Sequence, residues 1–356
     1  MRVFVIAEAG VNHNGERRKA LALVAAAAKA GADAVKFQTF DADALVCADA
    51  PKAAYQKRTT DATESQREML KRLELSPALH HDLKAACRRE RIRFLSSPFD
   101  IKSLSILVDD LKLDTLKIPS GEITNGPLLL AAGRSGRKII LSTGMSMLAE
   151  VADALGVLAF AMTRAKKGKP SLSAFRAAFA SKAGKAALKK KVTLLHCTSQ
   201  YPAPVADANL RAMATMRDAF GLPVGLSDHT AGIAIPIAAA ALGAAVIEKH
   251  FTLDKSLPGP DHAASLEPDE LKAMIAGIRA VERALGDGVK KVRPSERDTR
   301  KVARKSLVAA RPIRKGENIA AGDLTTKRPG TGASPMEYWE RIGQKAARDV
   351  APGKRL

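Results

Sequence analysis

Short apolar segments rich in β-branched residues alternate along the chain with longer segments of helical periodicity. Eight apolar runs occur before residue 252. They are Val3–Ala9, Ala34–Phe40, Arg93–Phe99, Thr115–Ser120, Ile139–Thr143, Val192–Ser199, Val224–Thr230 and Val246–Phe251. Runs of this length predict buried strands. Strands that alternate with helices predict parallel βαβ units.

The segments between the runs carry helix boundary signals. Arg17–Ala30 is followed by Gly31, and Pro77–Arg91 is preceded by the cap residue Ser76. Eight strand–helix units in about 285 residues predict a closed (β/α)₈ barrel, the TIM-barrel fold. The first strand is not followed by G-x-G-x-x-G, which argues against a dinucleotide-binding open sheet.

A smaller domain is predicted after the barrel. We place the barrel domain at residues 1–286, a linker at 287–304 and the C-terminal domain at 305–356. Short strand-like pieces and glycine turns in the last segment indicate a small α+β or β-clip fold. A domain of roughly 60 residues buries too little core to be very stable without docking on a partner.

Composition narrows the class of protein. The chain has 356 residues, of which 46% are hydrophobic and 27% charged, as expected of a folded protein. No apolar run reaches the roughly 18 residues needed to cross a membrane, and the N-terminus shows no secretory signal. Three widely spaced cysteines favour a reducing compartment. We therefore expect a cytoplasmic protein without a membrane partner.

The net charge of +21 is confined to two segments. Residues 161–192 contain ten basic and no acidic side chains, and residues 289–356 contain eighteen basic and seven acidic ones. Few aromatic residues lie among these charges. They are therefore more typical of solvated or anion-attracting surfaces than of nucleic-acid platforms. We interpret 161–192 as a solvated, lysine-rich insertion.

Polar residues close all eight predicted strands, where a TIM barrel places its active site. In chain order they are Glu8, Lys36, Gln38, Ser96, Ser97, Lys117, Ser120, Ser142, Thr143, His196, Ser199, Ser227, His229, Glu248 and His250. Residues two apart on a strand share a face, so Ser227 accompanies His229 and Glu248 accompanies His250. The last two strands can therefore direct two imidazoles at one point.

This set of residue types suits a particular chemistry. Lysines and serine hydroxyls can bind a phosphorylated, carboxylated anion. Two histidines with room for water form an open divalent-metal site that polarises a carbonyl group. Together these features suggest formation or cleavage of a carbon–carbon bond.

Other histidines and the cysteine beside one of them have simpler interpretations. His80 and His81 fall on a polar helix and are expected at the surface. His196 is equally well explained as a buried residue that only makes hydrogen bonds. Cys197 alternates to the opposite face from His196, which argues against a cysteine–histidine nucleophile pair.

Nine short motifs occur in a fixed order. They are 5–15 (VIAEAGVNHNG), 36–38 (KFQ), 117–122 (KIPSGE), 142–145 (STGM), 196–202 (HCTSQYP), 225–230 (GLSDHT), 248–252 (EKHFT), 259–262 (GPDH) and 327–332 (KRPGTG). Together they resemble the N-acetylneuraminate (sialic acid) synthase family, in which a TIM barrel precedes an antifreeze-like (SAF) domain. The resemblance covers nearly the whole chain.

The resemblance implies condensation of phosphoenolpyruvate with N-acetylmannosamine or a related N-acyl hexosamine aldehyde, with release of phosphate. Legionaminic or pseudaminic acid synthesis by the same family is the alternative. His229 and His250 would hold a divalent metal, usually Mn²⁺, with Mg²⁺ and Co²⁺ as alternatives.

The resemblance also assigns roles to the remaining site residues. Glu8 and Asp261 would position or deprotonate the attacking water. Lys117 would be the third catalytic residue and would also bind the phosphate and carboxylate. Glu122 and Tyr201 would contact the sugar. The other substrate-binding residues, for phosphate and carboxylate, would be Lys36, Ser120, Ser142, Ser199 and Ser227. Arg328 would reach the sugar from the tail domain of a partner subunit, so the resemblance implies a domain-exchanged homodimer.

Two further hypotheses come from other classes. A polyanion- or nucleic-acid-binding protein would use the two basic segments and bind with strong salt dependence. An inactive barrel would retain the site while its tail served as an interaction module. The inactive barrel is disfavoured by the intact set Glu8, Lys36, Lys117, His229, His250 and Asp261. We expect no nucleic-acid partner.

Overall fold

The computed structural model describes residues 2–47, 50–61, 63–163 and 168–356. The chain divides into two compact units, one ending at Gly286 and the other beginning at Asp287. The segment expected to be a linker, 287–304, belongs to the second unit and includes a short helix. None of the helices in the described residues combines the length and apolar character required to cross a bilayer.

Eight parallel strands form the wall of the first unit. They are β1 (Phe4–Gly10), β2 (Ala34–Thr39), β3 (Arg93–Pro98), β4 (Thr115–Ile118), β5 (Lys138–Ser142), β6 (Val192–Cys197), β7 (Val224–Asp228) and β8 (Val246–His250). Their hydrogen-bonded order is β3-β2-β1-β8-β7-β6-β5-β4. The two end strands, β3 and β4, lie side by side and complete the circle. The predicted TIM barrel is confirmed, and every strand overlaps its predicted run.

Helices surround the barrel and follow the strands in sequence. They are α1 (Arg17–Ala30), α2 (Ala42–Leu45), α3 (Ala54–Thr59), α4 (Gln66–Lys71), α5 (Pro77–Arg89), α6 (Ile101–Ser105), α7 (Gly126–Arg134), α8 (Leu148–Thr163), α9 (Leu172–Ala180), α10 (Lys182–Lys191), α11 (Ala212–Phe220), α12 (Ala234–Ala241) and α13 (Pro268–Ala284). Ser76 caps α5 as predicted, its hydroxyl accepting a bond from the Leu79 N–H at 3.2 Å. Gly31 ends α1 in the left-handed conformation, with φ +89°.

The barrel interior is arranged in layers with a period of two residues. An apolar layer near the start of the strands consists of Ile6, Ala34, Leu95, Ile140, Leu195 and Val246. Two residues later on the same six strands stand Glu8, Lys36, Ser97, Ser142, Cys197 and Glu248. Alternate residues of a strand face the same side, so the polar layer lies directly beyond the apolar one. The apolar layer is therefore the floor of any cavity at the C-terminal mouth.

The basic insertion forms a helical hairpin, α9 and α10, that packs against α8. The Phe175 ring meets Phe160 edge-on at 5.2 Å, and Leu188 of α10 is buried. Lys182, Lys185, Lys189 and Lys190 are exposed, as a solvated insertion requires. The part of the insertion at 164–167 lies outside the described residues.

The prediction that His80 lies at the surface is wrong. His80 is only 1% exposed, and its Nε2 lies 2.8 Å from the Thr39 hydroxyl oxygen. Its Nδ1 lies 2.9 Å from the Ser76 carbonyl oxygen. Partners on the barrel wall and in its own helix thus satisfy both ring nitrogens, which lets a polar residue face the core. His81 is exposed and contacts Asp110, as expected of a surface residue.

The second unit is built around a short antiparallel pair, β9 (Ser306–Ala309) and β10 (Leu324–Lys327). Two short helices accompany it, α14 (Arg297–Ala303) and α15 (Tyr338–Arg341). The residues of its apolar core are Ala309, Ile313, Ile319, Leu324, Ala346 and Val350. The unit has the small α+β character predicted from its turns.

Candidate active site

A cavity of about 440 Å³ opens at the C-terminal ends of the strands. Twelve predicted site residues belong to the first unit, and all twelve line this cavity. They are Glu8, Lys36, Lys117, Ser120, Glu122, Ser142, Ser199, Tyr201, Ser227, His229, His250 and Asp261. Arg328 is an exposed residue of the second unit, directly after β10, and its predicted role stays a prediction.

Two lysines and two glutamates form one buried network at the base of the cavity. The Lys36 ammonium lies 2.5 Å from a Glu8 carboxylate oxygen and 3.8 Å from one of Glu248. The Lys117 ammonium lies 3.1 Å from the other oxygen of Glu248. Ser97 also accepts a 3.0 Å hydrogen bond from Lys36. Since all four charged side chains are at most 4% exposed, their charges are compensated by one another rather than by bulk water.

The network gives its carboxylates different proton affinities. Burial would raise the pKa of Glu248, but the ammonium groups of Lys117 and Lys36 lower it to about 2. Burial raises the pKa of Glu8 to about 7, in spite of the adjacent Lys36. Burial also raises the pKa of Asp261 to about 6. The site thus combines a permanently ionised carboxylate with two that can exchange protons near neutral pH.

Serine hydroxyls surround Gly144, which follows β5. The Gly144 N–H donates to the Ser120 hydroxyl oxygen at 2.9 Å. A Cβ atom at position 144 would collide with the hydroxyls of Ser199 and Ser120, so glycine keeps this cradle open. The Ser142 hydroxyl is buried without a hydrogen-bond partner in the described residues. Several hydroxyl groups close together can bind an oxyanion such as phosphate. The unpaired hydroxyl of Ser142 is available for such a hydrogen bond.

The two predicted metal-binding imidazoles lie close together in the cavity. The ring centroids of His229 and His250 are 5.4 Å apart. The Nδ1 of His229 lies 2.7 Å from the Thr198 carbonyl oxygen, and as the donor of that bond it leaves Nε2 to bind a ligand. The Tyr201 ring lies 4.2 Å from that of His229. The Nδ1 of His250 is buried without a hydrogen-bond partner in the described chain and lies 3.7 Å from an Asp261 oxygen.

This donor set fits an open divalent-metal site. Burial and the neighbouring His229 hold the pKa of His250 well below its usual value, so its ring is neutral, as a ligand must be. Within the described residues, no three side chains of histidine, cysteine or acid type converge in a way that could hold a metal. The other coordination positions would therefore belong to water or substrate oxygens.

The structure also assigns places to residues that sequence reasoning left without a role. Glu248 is the centre of the lysine network, and its oxygen also accepts a 2.8 Å bond from Ser227. Cys197, not His196, faces the cavity, with its sulfur 3.7 Å from the His229 Nδ1. His196 instead pairs with the Ala208 carbonyl oxygen at 2.8 Å. The shared face of Glu248 and His250 was the sequence signal that could have identified Glu248.

One wall of the cavity is apolar and was not predicted. It is formed between β2 and α5, together with residues after β1 and β3. Its members are Val11, Phe40, Leu45, Met69, Leu70, Leu73 and Phe99. The site therefore presents charge on one side and a hydrocarbon surface on the other, an arrangement suited to a polar ligand that carries apolar groups.

The barrel and its pocket define a class of protein: a TIM barrel whose C-terminal mouth is lined by lysines, serines and a pair of imidazoles, followed by a small β-containing domain. Residues 23–290 match the NeuB family, and residues 304–354 match the SAF domain. The chain belongs to the NeuB family, the family of sialic acid synthases. The resemblance seen in the motifs is thereby confirmed, and the C-terminal unit is the expected SAF domain.

Two relatives share much of the sequence over nearly their whole length. The N,N'-diacetyllegionaminic acid synthase of Campylobacter jejuni is 48% identical over 98% of this chain and 97% of that protein. The synthase of the same name from Legionella pneumophila is 45% identical over 100% of this chain and 94% of that protein. A crystal structure of the N-acetylneuraminic acid synthetase of Leptospira borgpetersenii aligns with a TM-score of 0.66 and 32% identity, over 84% of this chain and 90% of that one.

Proposed function

We propose that this protein condenses phosphoenolpyruvate with a diacetamido hexosamine aldehyde to make N,N'-diacetyllegionaminic acid, releasing phosphate. The sequence identities of 48% and 45% to two synthases of that name support this choice of sugar. It favours the legionaminic alternative over the N-acetylmannosamine substrate expected first from the sequence. Phosphoenolpyruvate is a cytoplasmic metabolite, so the proposal also places the protein in the cytoplasm.

The anionic substrate is assigned to the serine cradle and the lysine network. Its phosphate would accept hydrogen bonds from Ser120, Ser142 and Ser199 around Gly144. Lys36 and Lys117 would balance the charge of the phosphate and carboxylate, and Ser227 would add a hydroxyl. Because Glu248 is ionised and fixed between the two lysines, it holds both ammonium groups in place before the substrate arrives.

The reaction forms a bond between C3 of phosphoenolpyruvate and the sugar aldehyde carbon. Water then adds to C2, and phosphate leaves with the electron pair of the C2–O bond. With a pKa of about 7, Glu8 can take the proton from that water. Asp261, with a pKa of about 6, can orient the water or return a proton to the new hydroxyl.

His229 and His250 would hold a divalent metal, which when bound polarises the aldehyde carbonyl. A set of two imidazole nitrogens and several oxygens favours Mn²⁺ or Co²⁺ over Mg²⁺, because Mg²⁺ prefers oxygen ligands alone. The Tyr201 ring packs against that of His229 at a tilt of 33° and would orient it.

The sugar is assigned to the outer part of the cavity. Glu122, which already accepts a 2.7 Å bond from the Asn125 amide, would bind its hydroxyls together with Tyr201. The apolar wall gives the methyl groups of two acetamido substituents a surface away from water. Arg328 would reach the sugar from the SAF domain of a partner in a domain-exchanged homodimer.

A sugar panel tests this function. The protein would be mixed with phosphoenolpyruvate, Mn²⁺ and one of three sugars: N-acetylmannosamine, the diacetamido precursor of legionaminic acid, or that of pseudaminic acid. We expect phosphate release to be fastest with the legionaminic precursor and to require both the sugar and the metal. The product mass must equal the sugar plus pyruvate. A higher kcat/KM for N-acetylmannosamine would overturn the choice of sugar, and no phosphate release with any sugar would overturn the function.

A further inference from the structure

A second cavity lies at the opposite mouth of the barrel, where the strands begin. Its volume is about 250 Å³. Leu95 and Ile140, members of the apolar interior layer, form its floor, and Phe4 packs beside them. The catalytic cavity lies beyond this same layer, so the two cavities are separate sites on either side of one apolar partition.

Five basic residues line this second cavity, and we call them the basic rim: Arg93, Lys138, Lys189, Lys190 and Lys191. No acidic residue is among the described residues that line the cavity. Within the described part of the chain, none of the five forms an ion pair. Exposed basic residues elsewhere do find carboxylates, as Arg17 does with Asp82 at 2.8 Å. The rim is therefore a concentration of uncompensated positive charge around a concave surface.

The rim is assembled from three separate parts of the sequence. Arg93 and Lys138 are the first residues of β3 and β5, whereas the three other lysines end α10 of the basic insertion. Lys191 donates a 2.7 Å hydrogen bond to the Gly136 carbonyl oxygen, just before β5, and this bond fixes the end of α10 at the mouth. The Arg93 guanidinium lies 5.5 Å from the centroid of the Phe4 ring, which orients it over the apolar floor.

Helix stability alone accounts for only part of this arrangement. Lysines in the last turn of a helix interact favourably with its C-terminal carbonyl groups, which explains three members of the rim. Arg93 and Lys138 begin strands and gain nothing from that effect. Bringing five like charges around one cavity is electrostatically unfavourable unless an anion compensates them.

We propose that this cavity binds a nucleoside polyphosphate, at a site distinct from the catalytic pocket. The phosphates would lie on the basic rim, and the base would cover the floor formed by Leu95, Ile140 and Phe4. This assignment gives the basic insertion a function, namely to bring the end of α10 to the barrel mouth. It is independent of the sugar and of the metal in the proposed reaction.

Calorimetric titration of the full chain with ATP tests the site, with saturating phosphoenolpyruvate present to fill the catalytic cavity and no divalent metal. We expect one ATP site per chain. Lys138→Glu combined with Lys190→Glu should weaken binding at least about tenfold, or about 1.4 kcal/mol. The matched control, Lys29→Glu with Lys272→Glu, makes the same charge change at exposed positions of α1 and α13 and should stay within about twofold of the unaltered protein.

Three outcomes would overturn the proposal. These are an absence of ATP binding when phosphoenolpyruvate is present, equal weakening by the rim and control variants, and unchanged binding in the rim variant. Tripolyphosphate, which has no base, should bind more weakly than ATP. Equal affinities would show that the apolar floor does not bind the base. Should the glutamate variant fail to fold, Lys138→Gln with Lys190→Gln gives the same comparison with a smaller charge change.

Discussion

The ammonium group of Lys249 lies 2.5 Å from the Asp228 carboxylate, and both side chains are almost completely buried. Asp228 also accepts bonds of 3.1 Å from the N–H and the hydroxyl of Thr230. Lys249 immediately precedes His250, and Asp228 immediately precedes His229. Lys249 and Asp228 pair directly across β7 and β8. Strand alternation places this ion pair on the face opposite to the imidazoles. It therefore ties together the two strands that carry the candidate metal ligands.

Replacing Lys249 by Met should strongly destabilise the barrel. The substitution leaves the Asp228 carboxylate buried without its partner, a situation that costs about 3–5 kcal/mol of unfolding free energy. Urea unfolding followed by circular dichroism measures the loss. The double variant Asp228→Asn with Lys249→Met removes both charges and should recover most of it. A loss below about 1 kcal/mol in the single variant, the value typical of an exposed pair, would contradict the structural role assigned here.

Replacing Gly144 by Ala should weaken the binding of phosphoenolpyruvate. The added Cβ collides with the hydroxyls of Ser199 and Ser120, so the cradle must open. We expect the KM for phosphoenolpyruvate to rise at least about tenfold, about 1.4 kcal/mol, with the KM for the sugar changed much less. Gly126→Ala is the matched control, because a Cβ at position 126 meets no atom within 4 Å. An equal rise in both Michaelis constants would show that the cradle does not bind the phosphate.

Glu248 should make the stability of the barrel depend on pH in the acid range. Its pKa of about 2 lies below the usual 4.5, so its contribution is complete above pH 4.5 and is lost as the pH falls towards 2. A shift of this size corresponds to about 3 kcal/mol. Glu248→Gln should therefore be much less stable than the unaltered protein at pH 7, and the difference should shrink at pH 3. A difference that does not change between these pH values would contradict the assignment.

Replacing His250 by Ala should remove most of the affinity for Mn²⁺. The proposed site has two ligands among the described residues, so the loss of one should weaken binding at least about 100-fold, beyond the effect typical of outer-shell changes. Electron paramagnetic resonance of free Mn²⁺ measures this without any turnover. His81→Ala, at an exposed position, is the control and should bind as the unaltered protein does. Retained affinity in His250→Ala would place the metal elsewhere.

Much of the architecture could be predicted from the sequence, because strands and helices leave local periodic signals. The eight apolar runs and the signals at Ser76 and Gly31 are properties of neighbouring residues, and all of them were found in the structure. The two-residue period also placed Ser227 with His229 and Glu248 with His250 before any fold was known.

The sequence by itself thus determined most of the polar residues that stand at the C-terminal ends of the strands. Only the tertiary structure decided their partners, since closure of the barrel brings β4 and β8 face to face and joins Lys117 to Glu248. The same holds for the burial of His80 and for the basic rim, where α10 meets the start of β5. Contacts between distant segments depend on how strands and helices pack in three dimensions, and no local pattern along the chain records that packing.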